Sequence, residues 1–501
     1  MSAPAERLPQ AIYSVAQVRQ LDRIAIERHG IPGYELMTRA AHAALDVLQA
    51  EWPAARRIEV YCGAGNNGGD GYVLARLARA AGRDVRVVAV AQPEGLRGDA
   101  ARAHADCVAA GVPIVPLGQD ASFAAELIVD GLLGTGASRP VDGHFARAIA
   151  AIGAAGVPVL ALDIPSGLHG DTGEVLGLAV AADVTITFVG LKTGLFLGEA
   201  PDHRGRLEFA GLGVPGEAYA EVEPPLRRLV LDDLRAALPP RRRSAHKGSH
   251  GRLLVVGGGE GMPGAARLAA EAALRTGAGL VYVATHPSSV GPVMAGRPEL
   301  ICHGIGKPED LDPLLAACDG IVAGPGLGRT PWAEALWQRV LAAPRPLVAD
   351  ADALNLLAAR PTRRERWLLT PHPAEAGRLL GSDAAAVQRD RAGAATALVA
   401  RYGAAAVLKG ACSLVAAAEP DGRPDIRVCD RGNPGMATAG TGDVLAGVLG
   451  ALLVQTGDLA CAARAGVLLH ALAGDAAAAG GERGMIAGDL LPQLREWANP
   501  S

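Results

Sequence analysis

Short apolar runs alternate with longer amphipathic stretches along both halves of the chain. In the first half Ile58–Cys62, Asp84–Val90, Leu127–Val129, Val157–Leu162 and Val184–Val189 read as strands. The stretch opening at Ser14 is amphipathic with helical spacing and has Ser14 as its N-cap, and Tyr72–Ala81 reads as a helix. In the second half Leu253–Val256, Leu280–Ala284, Gly320–Ala323, Pro346–Val348, Trp367–Leu369 and Ala405–Leu408 repeat the strand pattern. Strand–helix alternation predicts α/β architecture with parallel sheets and right-handed crossovers. Between the halves, Pro224-Pro225, Pro239-Pro240 and Arg241-Arg242-Arg243 break the pattern. The boundary is therefore expected at 222/223, with Leu226–Leu238 opening the second domain.

Composition narrows the class. Of 501 residues half are hydrophobic and 20% charged, which excludes disorder of the whole chain. The net charge of −4 argues against a general nucleic-acid binder, and the basic cluster at 241–243 with Lys247 reads as a solvated linker. Seven cysteines at scattered positions, none spaced as CxxC, offer neither a disulfide frame nor a zinc site. No apolar run reaches the ~18 residues of a membrane span, and the first residues show no signal-peptide core. A soluble cytoplasmic protein that uses neither membrane nor nucleic acid is expected.

Both halves contain a formal GxGxxG, at 63–68 and 259–264, each after a strand. Neither is followed by the acid that a dinucleotide fingerprint places at the end of the next strand, so ordinary dehydrogenase chemistry is disfavoured. The first loop taken whole, GAGNNGGDG at 63–71, is more specific. Its glycines are expected to admit a ligand close to the backbone and to take left-handed angles, with Asn66, Asn67 and Asp70 as donors and acceptors. Asp130 and Asp163 each stand beyond an apolar strand, where open α/β sheets bind ligands. With Ser166 they form an oxygen-rich set suited to a monovalent or divalent cation.

In the second half, GNPGMATAGTGDVLAG at 432–447 is a small-residue turn leading into an apolar helix with Asp443 in its first turn. Free amides there can neutralise phosphoryl charge while the carboxylate takes a proton from an attacking hydroxyl. Lys409–Ser413 follows a strand and could hold a nucleotide; His372 sits in a Pro-flanked loop; 324–328 (GPGLG) is a bare-backbone turn. No Walker-A sequence occurs.

These segments, with HKGSHG (246–251), GMPGAA (261–266), TPHPAE (370–375) and LKG (408–410) in matching order, resemble the bacterial bifunctional NAD(P)H-hydrate repair enzymes over roughly residues 14–497. The resemblance implies a Rossmann-like three-layer epimerase domain at 1–222 and a ribokinase-like three-layer dehydratase domain at 223–501. It implies that Asn66, Asn67, Gly68, Gly69 and Asp70, then Gly134, Thr135, Gly136, Ala137, Ser138, Arg139 and Pro140, with Asp163, bind the hydrate NAD(P)HX. Asn67, Asp130 and Ser166 resemble ligands of a K+ ion. In the second domain Ala265, Gly326, His372 and Asp443 resemble hydrate-binding positions. Lys409, Gly410, Ala411, Cys412, Ser413 and Gly442 resemble the adenine-nucleotide site. Ala439 stands where the family often has Gly.

The implied chemistry interconverts R- and S-NAD(P)HX at C6, with Asp163 or Asp130 handling the proton. The S form is then dehydrated at the expense of ADP, with Asp443 as base and Mg2+ in attendance, giving AMP and phosphate. The choice of ADP over ATP and a homo-oligomeric assembly come from the resemblance alone. Two other readings fit parts of the pattern: a kinase of a small hydroxymethyl metabolite in the second half, and a non-catalytic binding module in the first.

Overall fold

The computed structural model describes residues 8–118, 123–418 and 422–500, which form two compact units, the first ending at Leu226 and the second beginning at Arg227. Unit 1 contains β1 (Ala11–Tyr13), β2 (Arg57–Cys62), β3 (Asp84–Ala89), β4 (Ile114–Pro116), β5 (Leu127–Gly131), β6 (Val159–Leu162), β7 (Val184–Phe188), β8 (Leu191–Lys192) and β9 (Arg206–Ala210). Seven of them form one sheet in the order β4-β3-β2-β5-β6-β7-β9, parallel throughout, while β1 pairs with β8. Side chains alternate across this sheet, as strand geometry requires. Ile58, Val60, Val129 and Leu160 pack on one face, and Tyr61, Ile128 and Ala161 on the other with Ile149 and Ile152 of the helix Gly143–Ala154. Helices thus cover both faces. The strand order reverses between β2 and β5, where such sheets leave a crevice at the strand C-termini.

Unit 2 takes in the last two residues of β10 (Leu226–Arg228), then β11 (Arg252–Val256), β12 (Leu280–Thr285), β13 (Ile301–Gly304), β14 (Gly320–Ala323), β15 (Leu347–Ala349), β16 (Trp367–Leu369), β17 (Ala405–Leu408), β18 (Ser413–Ala418) and β19 (Pro424–Cys429). Their order is β13-β12-β11-β14-β15-β16-β17-β18-β19, with β10 beside β19. One core of aliphatic side chains joins the sheet to the helices Pro263–Thr276, Thr441–Thr456 and Leu459–Ala477. The segment Leu459–Gly480 is long and apolar enough to cross a membrane by length and composition, contrary to the sequence expectation, but 67% of its apolar window is buried.

Three sequence expectations change. Unit 2 is not wholly parallel: β17, β18 and β19 run antiparallel. The Ala-rich β18 carries little β-branched signal, and the turn before it reads as a ligand loop. The helix expected at Tyr72 starts at Asn66, so NNGGD is its first turn. No glycine of 63–71 has positive φ. They serve close packing: a methyl on Gly63 would stand 1.9 Å from the Leu132 carbonyl oxygen, and one on Gly68 2.1 Å from that of Gly63.

Candidate functional site

In unit 1 the loops after β2 and β5 and the first helix, Val15–Glu27, enclose a cavity of about 1080 Å³. Ser14 caps that helix in a reciprocal pair with Gln17. Asn66, Asn67, Asp70, Asp163 and all of Gly134 to Pro140 line the cavity. Gly68 and Gly69 stand behind it, where their missing side chains let the helix close on Gly63 and Met37.

Asp163 follows β6 with φ +66, a left-handed conformation that Asp tolerates better than most residues. Its Oδ1 accepts from Lys192 Nζ and from the Phe188 amide at 3.3 Å. Lys192, buried at 1% exposure, also donates to Thr187 Oγ1 at 3.0 Å and the Phe188 carbonyl at 2.8 Å. Asp22 and Asp70 face the same cavity. Burial raises Asp22 to about 6, Lys192 opposing and Asp163 assisting, and burial with the Asp163 charge pushes Asp70 well above the carboxylate range. The motif reading did not single out Lys192 or Asp22.

Asp130 is sealed beneath the cavity. Its Oδ1 accepts from Ser166 Oγ at 2.6 Å and the Leu132 amide at 3.1 Å, its Oδ2 from the Ser166 amide at 2.8 Å. Burial raises it to about 6 against those bonds. Beside this loop the Asn67 amide is buried with neither polar atom hydrogen-bonded among the described residues.

In unit 2 the sequence-derived residues gather at the strand C-termini. A methyl on Gly326 would stand 3.0 Å from the Ala265 Cβ, which places the GPGLG turn against the helix Pro263–Thr276. His372 caps the helix Pro373–Leu380: its Nδ1 accepts from the Ala374 amide at 3.1 Å while Glu375 Oε2 accepts from the His372 amide at 2.9 Å. Lys409 Nζ donates to Asp350 Oδ1 at 2.7 Å and lies 3.9 Å from Glu375. Burial alone would lower Lys409; Asp350 and Glu375 raise it instead.

A methyl on Gly442 would be 3.4 Å from Lys409 Nζ and 3.9 Å from Asp350 Oδ2. Gly442 therefore lies over the Lys409–Asp350 pair, with Asp443 next to it in the first turn of the helix. Burial and the Asp350 charge raise it to about 7, Lys409 opposing. Gly440, at φ +92, makes the turn into that helix.

The 409–413 loop is wired from below. Buried Arg391 donates to the carbonyls of Leu408, Lys409 and Cys412 at 3.1–3.3 Å, and Gly410 N donates to Ser413 Oγ. Asp350, Asp352 and Arg391 were missed by motif reading. The two aspartates stand just beyond the apolar β15, the same signal that singled out Asp130 and Asp163, and Asp352 Oδ2 accepts from the Gly328 amide at 2.8 Å.

Two family models match the chain: a YjeF-related protein N-terminus over residues 33–194 and NAD(P)H-hydrate dehydratase over 253–495. A bifunctional NAD(P)H-hydrate repair enzyme of Coxiella burnetii is 49% identical over 98% of this chain and 99% of its own length. That of Escherichia coli K12 is 43% identical over 98% and 95%. A solved ribokinase-like superfamily protein of Enterococcus faecalis V583 covers 55% of this chain and 95% of its own at 29% identity and TM-score 0.50. With a catalytic-type cluster in each unit and relatives matched along nearly their full length, the chain belongs to the bifunctional NAD(P)H-hydrate repair enzymes.

Proposed function

We propose that the unit 1 cavity binds NAD(P)HX and interconverts its C6 epimers, and that the Asp443 site dehydrates the S form with ADP. For unit 1 the observation that carries the reading is Asp163, fixed by Lys192, facing a cavity it shares with Asp22 and Asp70. Asp163 can remove the C6 hydroxyl proton as the C6–N1 bond breaks, while a protonated Asp70 or Asp22 supplies N1 with its proton. Rotation about C5–C6 and the reverse steps deliver the other epimer, with atoms conserved. Asp130 is a poor candidate for this proton, because both its oxygens are engaged and it does not line the cavity. Arg139 on the cavity rim suits the substrate phosphates.

A K+ ion fits Asn67, Asp130 and Ser166, where a buried amide oxygen lacks a partner and the donors are all oxygen. Such an ion would supply fixed positive charge beneath the cavity. For Mg2+, no group of three His, Cys, Asp or Glu among the described residues forms a cage. That suits an ion brought in on the nucleotide, with carboxylates such as Asp350 nearby.

In unit 2, Asp443 would take the C6 hydroxyl proton as that oxygen attacks the terminal phosphorus of ADP, releasing AMP. The N1 lone pair then expels phosphate from C6, and loss of a C5 proton restores NAD(P)H. Amides at the helix start and Lys409 face the phosphoryl charge. The test is recovery of NADH absorbance from mixed R/S NADHX with ADP. Wild type should recover all of it and Asp163→Ala only the S fraction. Full recovery by Asp443→Ala would sink the scheme.

A further inference from the structure

The basic run at 241–247 has no part in either site above. Arg241 leaves it for the lower edge of the unit 2 sheet, donating to the Gly277 carbonyl at 2.5 Å and to Gln455 Oε1 at 2.9 Å. There it borders a cavity of about 770 Å³, within the range of small-molecule pockets. Arg275 and Arg495 also line the cavity, Leu238 and Leu274 give it an apolar wall, and among the described residues no Asp or Glu lines it.

Two features point to a ligand. The Arg275 and Arg495 guanidinium groups make no hydrogen bond or ion pair among the described residues. Finally, Ser249 and His250 precede β11, and Thr276 and Gly277 precede β12, whereas the Asp443 site is built from loops that follow strands. The five residues of β11 separate the two ends by roughly 16 Å at ~3.3 Å each.

We propose that this cavity is a second ligand site that takes a nucleotide-sized phosphorylated metabolite. Its phosphate would lie on Arg275 and Arg495, and its apolar part against Leu238 and Leu274. Concentrated positive charge without carboxylates gives the affinity for phosphate, and the Arg forks give it geometry.

The test is equilibrium dialysis of labelled AMP against the full chain and three variants. Arg275→Glu/Arg495→Glu should lose one equivalent of AMP per chain, whatever number remains at the catalytic site, with melting temperature and dehydratase kcat unchanged. Arg275→Lys/Arg495→Lys should keep that equivalent. Thr276→Val, at a hydroxyl sealed from the cavity, should also keep it. Inorganic phosphate should displace the same equivalent. AMP stoichiometry unmoved by charge reversal, or an equivalent that saturating phosphate cannot displace, overturns the proposal.

Discussion

Lys192 Nζ, at the floor of the unit 1 cavity, divides its three protons among Asp163 Oδ1, Thr187 Oγ1 and the Phe188 carbonyl. An ammonium has three donors and no acceptor, so none is left for a substrate. Lys192 therefore acts through Asp163, fixing the position of one carboxyl group among three. Lys192→Met leaves Asp163 without its counter-charge beside Asp22 and Asp70. Breaking a buried pair by removing one partner costs about 3–5 kcal/mol. The expected result is a urea midpoint lowered accordingly and epimerisation reduced at least 100-fold, while added S-NADHX is still repaired. Recovery from an R/S mixture should stall at the S fraction; complete recovery at the wild-type rate would remove Lys192 from the mechanism.

Asp443 titrates near 7, raised by burial and then by Asp350. A base must be ionised, so dehydratase kcat should climb through pH 7 and level off above it. Stability runs the opposite way. Between the unfolded carboxyl value near 4 and the folded value near 7, the folded state binds more protons, so its stability falls as pH rises. Asp443→Asn removes that penalty: it should abolish repair and yet be more stable than wild type at pH 8, by up to about 4 kcal/mol. Differential scanning calorimetry at pH 5 and pH 8 checks the sign, since the gap should shrink at the lower pH.

The same arrangement separates Asp350 from Asp443. Asp350 raises its neighbour, while Lys409, paired to Asp350 at 2.7 Å, lowers it. Asp350→Asn deletes the raising charge and frees Lys409 toward Asp443. The acidic limb of the dehydratase pH profile should therefore move to lower pH, with a reduced plateau because the lysine is less well held. An unmoved limb would mean that the profile reports some other group.

Gly68 and Gly65 give a paired packing test. A methyl on Gly68 would lie 2.1 Å from the Gly63 carbonyl oxygen, whereas one on Gly65 meets nothing within 4 Å. Gly68→Ala must push the helix Asn66–Ala80 off the strand end, at the 1–3 kcal/mol or more of overpacking. It carries Asn66, Asn67 and Asp70 along. Gly65→Ala should fold and epimerise nearly normally. Thermal melts and initial epimerisation rates of the two variants distinguish a packing role from a merely loop-forming one.

Most central strands were legible because a buried parallel strand is an apolar run bounded by punctuation, and β2, β14, β16 and β17 fall within a residue of their expected ends. The ligand loops were legible because their residue types are unusual for turns. What escaped was chemistry carried by ordinary residues in ordinary elements. Asp22 sits in an amphipathic helix and Lys192 in a two-residue strand, and neither pattern marks the side chain as inward-facing. One compositional signal was available. Only four of the 48 basic residues are lysine, at 192, 247, 307 and 409, and two of those four are paired with a carboxylate at a site. In a chain that otherwise uses arginine, a lysine in an apolar strand end marks a place where a compact three-donor charge is needed.

Asn67 provides the sharpest test of the proposed K+ site. Its amide is buried with both polar atoms unpartnered, an arrangement costing about 1–3 kcal/mol unless a ligand completes it. A cation that binds only the folded state stabilises by about 2.7 kcal/mol at 100 times its dissociation constant. Wild type should therefore melt higher in KCl than in choline chloride at equal ionic strength. Asn67→Leu, similar in volume but without the carbonyl oxygen, should lose that difference. In the choline buffer it should match or exceed the wild type, since the unpaired amide is gone. A potassium effect of equal size in both proteins would place the ion elsewhere, whatever happens to the epimerase rate.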